Sequence, residues 1–294
     1  SPYSLRHVAR RYRDDGYVAI AIRLPGHGTV PSGLTDVEWE QWLAATHLAV
    51  REARRRTGPA APLHVNTLAE TTMSILARAR GKDPAMGYAT DFVTVTMAQN
   101  LRVIAARGVK VLSNAGGLKA GACRDALLAI ATAQGIEINI AVVSGDDVMN
   151  LLPQLREEKT REMFFGLPLP EKIHSMNAYL GARAVTQALR NGAQIVITGR
   201  GVDSALIVGA LMHEFNWDWR DWNKLAQASL AGHIIECGAQ GSGGLFTDWE
   251  TVPDWDNIGY PIVECEDDAS FVVTKPRDTG GLVSRPSVTE QILY

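Results

Sequence analysis

Gln194-Ile-Val-Ile-Thr-Gly-Arg-Gly-Val-Asp-Ser204 is an apolar, β-branched run that stops at a glycine-rich turn and gives way to an apolar stretch ending at Leu211. A short apolar run bounded by glycines reads as a strand covered on both faces, and the longer stretch after it as a helix. The same order occurs twice upstream. Val109-Lys-Val-Leu-Ser-Asn-Ala-Gly-Gly117 is a strand entering a glycine turn, with a helix following through Leu128. Ile138-Asn-Ile-Ala-Val-Val143 enters Ser144-Gly-Asp-Asp147, again ahead of a helix. Strands of this kind alternating with helices predict an α/β fold, a mostly parallel, doubly wound sheet with helices on both faces. The strands ending at Ser113, Val143 and Ile197 should be parallel neighbours or near-neighbours.

Composition bounds the function. The chain has 294 residues, 46% hydrophobic and 21% charged, which is globular and excludes wholesale disorder. A net charge of -3 lacks the basic footprint of a nucleic-acid binder. No apolar run reaches the ~20 residues of a membrane helix. Three widely spaced cysteines, Cys123, Cys237 and Cys265, argue against a disulfide framework and for a reducing, cytoplasmic setting. Arg6, Arg10, Arg11 and Arg13 crowd the start with no apolar core after them, unlike a secretory signal. The charge is uneven: residues 1–65 hold nine Arg, no Lys and six acidic residues, and the remainder is net acidic. The chain therefore divides into segments 1–65 and 66–294. Ser1 is not a Met and Tyr294 lies inside a predicted helix, so both ends read as cut, and the second segment as C-terminally truncated.

In parallel sheets ligands bind beyond the carboxyl ends of the strands, so the three turns are where a site should form. Asn114, Gly116 and Gly117, then Gly145, then Gly199 and Arg200 are candidate ligand-binding residues there, since such turns bring backbone amides close to an anion or carbonyl. The alternative is that these glycines only close tight turns. Arg200, straight after a strand, suits a carboxylate bidentately, or else forms a structural pair with Asp203. Asp146 is a candidate acid/base and Asp203 another, although one of the adjacent pair Asp146 and Asp147 is expected to cap the next helix. The helix beginning near Asp221 carries Trp222, Leu225, Ala226 and Ser229 on one face, and His233 and Glu236 continue that face. A core-facing imidazole one turn from a carboxylate is an acid/base arrangement, or a satisfied structural pair. Glu236 should find a buried partner, with Arg200 first and His233 second. Lys275, between a strand and a glycine loop, could hold an anionic group, or be a solvated loop lysine. Trp217, Trp219 and Trp222 read as packing. No dinucleotide fingerprint or P-loop occurs, so neither nucleotide cofactor is supported; no residue is assigned to a metal, although Asp146 and Asp147 could bind a divalent cation.

Two resemblances follow from these and further motifs. Leu68-Ala-Glu-Thr-Thr-Met73, Lys82-Asp-Pro-Ala-Met-Gly-Tyr-Ala89, Asn177-Ala-Tyr-Leu-Gly-Ala182, Gly232-His-Ile-Ile-Glu-Cys-Gly238, Gly280-Gly-Leu-Val283 and Glu290-Gln-Ile-Leu-Tyr294, with the three turns, resemble the N-terminal domain of the acyclic terpene utilization family, AtuA. The resemblance runs from about Leu68 to the end. It implies a role in catabolism of acyclic terpenes such as citronellol and geraniol, through coenzyme A thioesters, and so a small acyl or carboxylate ligand. The resemblance supplies a pathway rather than a reaction. A non-catalytic binding or assembly subunit using the same rim is the alternative, and a homo-oligomer is left open. Two departures stand out: the family's opening strand with its glycine-rich turn is missing, and Leu118-Lys-Ala120 follows the first turn where members usually have Asn-Pro.

Residues 1–65 resemble instead an internal piece of an α/β-hydrolase of the esterase/lipase type, with Leu24-Pro-Gly-His-Gly28 as the turn after a sheet strand. The strand at Leu63-His-Val65 would there lead into a Gly-x-Ser-x-Gly elbow, but Asn66-Thr-Leu-Ala-Glu70 follows and the motif occurs nowhere. Serine carboxylesterase chemistry is therefore the weakest reading. A strand at about 18–24 and a helix at about 36–56 are expected to pack onto the later sheet.

Overall fold

The computed structural model describes the backbone of the strand at 62–65 and residues 70–294. The expected strand at about 18–24, the helix at about 36–56 and the hydrolase-like turn lie outside the described residues.

Four strands form one parallel sheet: β1 (Pro62–Val65), β2 (Lys110–Ser113), β3 (Ile140–Val143) and β4 (Ile195–Thr198). Their spatial order is β1-β2-β4-β3. β4 therefore lies between β2 and β3, with Val111 opposite Ile195 on one side and Ile140 opposite Ile195 on the other. The three strands read from the sequence are parallel and adjacent or one apart, as their strand–turn–helix order requires. β1 pairs in parallel with β2, Leu63 opposite Val111, so a strand precedes β2 in this sheet.

Alternation along the strands sends side chains to two cores. Val111, Ile195 and Ile197 pack with Leu101 and Ile104 of α2 (Ala98–Arg107) and with Cys123 and Leu127 of α3 (Ala120–Ala133). Leu112, Val143 and Val196 pack with Val185 and Leu189 of α5 (Ala182–Arg190) and with Leu206 and Ala210 of α6 (Ala205–Glu214). All four residues of β4 are buried, which explains its unbroken Ile-Val-Ile-Thr. Ahead of α2, a π-helical stretch from Phe92 to Met97 buries Phe92, Val93 and Met97. α1 (Glu70–Lys82) packs Met73, Leu76 and Ala77 on Leu118.

Between α4 (Leu152–Glu157) and α5 the chain makes an exposed apolar tip, with Met163, Phe164 and Phe165 at 86%, 79% and 85% exposure. The tip is tied from inside. The Glu162 carboxylate accepts from the amides of Phe164, Phe165 and Leu167, and Arg161 donates to the Gly166 carbonyl at 2.6 Å. These amide bonds hold the Glu162 carboxyl below the usual carboxylate range.

After α6 comes α7 (Trp222–Glu236), capped by Asp221, whose carboxylate accepts from the Lys224 amide. An antiparallel pair, β5 (Ile262–Cys265) and β6 (Phe271–Thr274), forms a second sheet. The last helix, α8 (Arg285–Leu293), starts at a capping box in which Ser284 accepts from the Ser287 amide. No helix among the described residues is long and apolar enough to cross a membrane.

Candidate functional site

The turns after β2, β3 and β4 share one rim, and a fourth segment closes it. Met176–Leu180 runs extended across two of the turns. Its Met176 carbonyl accepts from Val148 N at 2.9 Å and Ala178 N donates to the Asp146 carbonyl at 2.7 Å. Farther along, Leu180 N donates to the Arg200 carbonyl and the Leu180 carbonyl accepts from Val202 N at 2.9 Å. The strap thus laces the β3 turn to the β4 turn.

Under the strap lies Asp146, only 6% exposed. Its Oδ2 accepts from Asn177 Nδ2 at 3.0 Å and from the Arg200 amide at 3.1 Å. Burial pushes its pKa up, and the two hydrogen bonds oppose that rise without cancelling it. The carboxylate rests on the bare Cα of Gly199, where an added methyl would lie 2.1 Å from Oδ2. The neighbouring Asp147 turns the other way. It accepts from the Met149 amide at 3.0 Å ahead of a short 3-10 turn and sits 3.6 Å from Arg80 on α1. So Asp147 closes a local Asx-type turn, neither of the pair caps the next helix as expected, and Asp146 is the residue turned under the strap.

Arg200 is 2% exposed, and its Nη1 donates to Asp203 Oδ1, with Asp203 itself open to solvent. The guanidinium also lies 4.5 Å from the centre of the Tyr179 ring, so one side chain is clamped by a carboxylate and an aromatic face. On the other side of the rim, Asn114 is 5% exposed, and its carbonyl accepts from Gly117 N at 3.2 Å. Gly116 lets the two turns touch: a methyl there would lie 2.6 Å from the Thr198 carbonyl oxygen. Gly117 and Gly145 have positive φ, +50° and +114°, and shape their turns. A small cavity at the rim is lined by Asn114, Thr198 and Asp203 among apolar neighbours such as Val143, Leu180, Val185 and Leu206; Asp146 and Arg200 are outside its lining.

α7 joins the rim at one point. The Cα of Gly232 faces Ser204, the residue before α6, closely enough that a methyl would meet Ser204 Cβ at 2.8 Å. One turn on, Glu236 is 9% exposed and accepts from the thiol of Cys237. His233 is half-buried, and its carbonyl accepts from Gln291 Nε2 on α8 at 3.1 Å. The apolar face expected for α7 is corrected: Trp222, at 68% exposure, Ala226 and Ser229 are exposed, and the buried face is Ala228, Ala231, Gly232 and Ile235. Small residues win because α7 packs closely on α6, and Trp222 goes edge-on to Trp219 instead. Glu236 is buried all the same, since the buried face broadens to Ile234, Ile235 and Glu236 at the end of the helix.

Lys275 follows β6, in the second sheet. Its ammonium donates to the Thr279 carbonyl at 2.6 Å within its own turn, and burial lowers its pKa. Cys123 is wholly buried, and burial lifts its thiol to about 12, so it is inert packing. Among the described residues no group of three or more His, Cys, Asp or Glu side chains could hold a metal ion.

Asn177 and Tyr179 were missed as site residues. They alternate on the strap, both turned toward the rim, one to Asp146 and the other to Arg200. The readable signal was a polar residue and an aromatic two apart in a segment too short for a helix.

A comparison with family models matches residues 43–294 to one described as acyclic terpene utilisation family protein AtuA, starting upstream of the 65/66 boundary read from composition. No curated protein and no solved structure gave a match. With the match spanning the sheet, the strap and all three turns, the chain belongs to the acyclic terpene utilisation family.

Proposed function

We propose that the protein acts in the breakdown of acyclic terpenes by binding a small carboxylate or acyl-thioester at the rim and carrying out proton transfer on it. The doubly wound reading of the sheet is part of this proposal. β2 and β4 are neighbours, yet the helices after them, α3 and α6, belong to the two different cores. Such a switch point is where open α/β sheets leave a crevice for ligands.

The observation that carries the reading is Asp146, a buried carboxyl with raised pKa held by Asn177 and the Arg200 amide beside a clamped guanidinium. A carboxyl whose proton is held more tightly than usual serves as a general acid or base nearer neutral pH. Arg200 supplies the positive charge for a carboxylate or a thioester carbonyl, and the amides of the Asn114–Gly117 turn supply further donors. His233 and Glu236 are the reserve acid/base pair, brought near by the Gly232–Ser204 contact. An acyl-coenzyme A is the ligand class this reading implies. The nucleotide part would lie outside the rim, whose own cavity is small.

Titration of the protein with geranic and citronellic acids and their coenzyme A thioesters, followed by calorimetry and, in heavy water, by mass analysis for deuterium taken up into the ligand, tests this. Wild type should bind at least one of them, and Arg200→Gln should weaken that binding about tenfold or more, the worth of one charge-assisted pair. Asp146→Asn should retain binding and lose turnover. If Asp146→Asn and the His233→Ala/Glu236→Ala double variant both leave product formation unchanged, the proton-transfer reading fails. Binding without any product would favour a binding or assembly subunit. Absence of binding to all four ligands would remove the rim as a site.

A further inference from the structure

A second cavity, of about 350 Å³, lies away from the rim, between the outer face of α5 and the loop that follows α6. α6 starts at the rim and ends at Glu214, so the loop Asn216–Trp219 is at the opposite end of that helix. Arg183, Gln187 and Arg190 line the cavity from α5, at spacings of four and three residues that put them on one helical face. Trp217 and Trp219 line it from the loop.

The arginines are arranged in an unusual way. Arg183 lies 4.4 Å from the centre of the Trp219 ring and Arg220 lies 4.5 Å from it. Arg190 Nη2 donates to Asn216 Oδ1 at 3.0 Å. Among the described residues, none of these three guanidiniums forms an ion pair. One carboxylate, Asp218, belongs to the lining, and its Oδ1 is already engaged by the Arg220 amide at 2.7 Å. The nearby Lys224 has its own partner, Asp267, at 3.4 Å. A chain of net charge -3 therefore carries a local excess of positive charge around a pocket. Stacking on an indole occupies the face of a guanidinium and leaves its in-plane N–H edge to donate. Trp219, read from the sequence as packing, thus also carries two guanidiniums against its ring.

We propose that this cavity binds a phosphate-bearing anion, a diphosphate or phosphoester, through Arg183 and Arg190, with Trp219 holding Arg183 in orientation. The cavity has room for such a group and for more beside it, and the lining is too polar for a terpenoid chain. A single carboxylate would satisfy one fork, whereas a diphosphate presents enough oxygens for two. The site is independent of the reading given to the rim.

Calorimetric titration of the full chain with sodium pyrophosphate, and separately with ADP, tests it at about 150 mM salt, where loose surface attraction is largely screened. Saturable binding is expected in wild type and in Arg200→Gln. Arg183→Gln and Arg190→Gln should each weaken it about tenfold or more, with unchanged thermal unfolding. Arg183→Lys should recover only part of the loss, because an ammonium cannot replace a bidentate fork. Equal affinity for pyrophosphate and ADP supports a site that reads phosphates alone, and tighter ADP binding one that also reads the nucleoside. No saturable heat up to about 10 mM of either ligand, beyond any useful affinity, overturns the proposal. So does equal binding by wild type and the Arg183→Gln/Arg190→Gln double variant. Failure of terpenoid binding at the rim with intact pyrophosphate binding would sink the other proposal and leave this one standing.

Discussion

Gly199 decides more than its size suggests. Its Cα forms the floor under the Asp146 carboxylate, so Gly199→Ala must either expel that carboxylate or bend the end of β4. Overpacking of this kind costs about 1–3 kcal/mol, and urea unfolding of Gly199→Ala should show a loss in that range. Gly121→Ala, where a methyl on α3 meets nothing within 4 Å, is the matched control and should be neutral or stabilising by about 0.5–1 kcal/mol. Equal behaviour of the two variants would mean that the Asp146–Gly199 contact bears no load. At this scale the sequence was legible where chemistry is local. Arg200 and Asp203 are three residues apart and do pair. Asn177 and Tyr179 were not legible as partners of Asp146 and Arg200, because 31 residues separate Asn177 from Asp146 and only the folded strap brings them together.

At the scale of elements, α7 shows how a helical period can mislead. Trp222, Leu225 and Ser229 recur at helical spacing, but the neighbour sets which face is covered. α6 comes so close that only Gly232 fits against Ser204, so the small residues turn inward and the Trp turns out. Gly232→Val should separate α6 from α7 at the point where α7 reaches the rim. The expected result is a destabilisation of about 1–3 kcal/mol together with faster amide exchange at Ser204 and Ala205. An unfolding midpoint equal to wild type would show that the helices part without cost. The strands were read more securely than this helix, because a strand buried on both faces has no face to choose. Every residue of β4 is apolar or Thr and every one is buried.

The whole molecule has an interleaved plan. The repeated strand–turn–helix order revealed that the sheet is parallel. It did not reveal that β4 inserts between β2 and β3, since the order of strands in space depends on which face each helix takes. That insertion bears on the apolar tip at Met163–Phe165, which falls between β3 and β4 in the chain. A cut there puts β1, β2 and β3 on one fragment and β4 on the other. β4 would still be hydrogen-bonded on both edges to strands it is no longer joined to, and the strap would still be laced to the Asp146 turn. Brief chymotrypsin treatment, which favours exposed Phe, should give two bands on a denaturing gel and a single peak of unchanged size on gel filtration. Two peaks would mean that the strand order does not hold the halves together. Such a nicked protein would be two fragments held as one by the inserted strand. The continuity of the peptide chain would then matter for assembling the rim and hardly at all for keeping it.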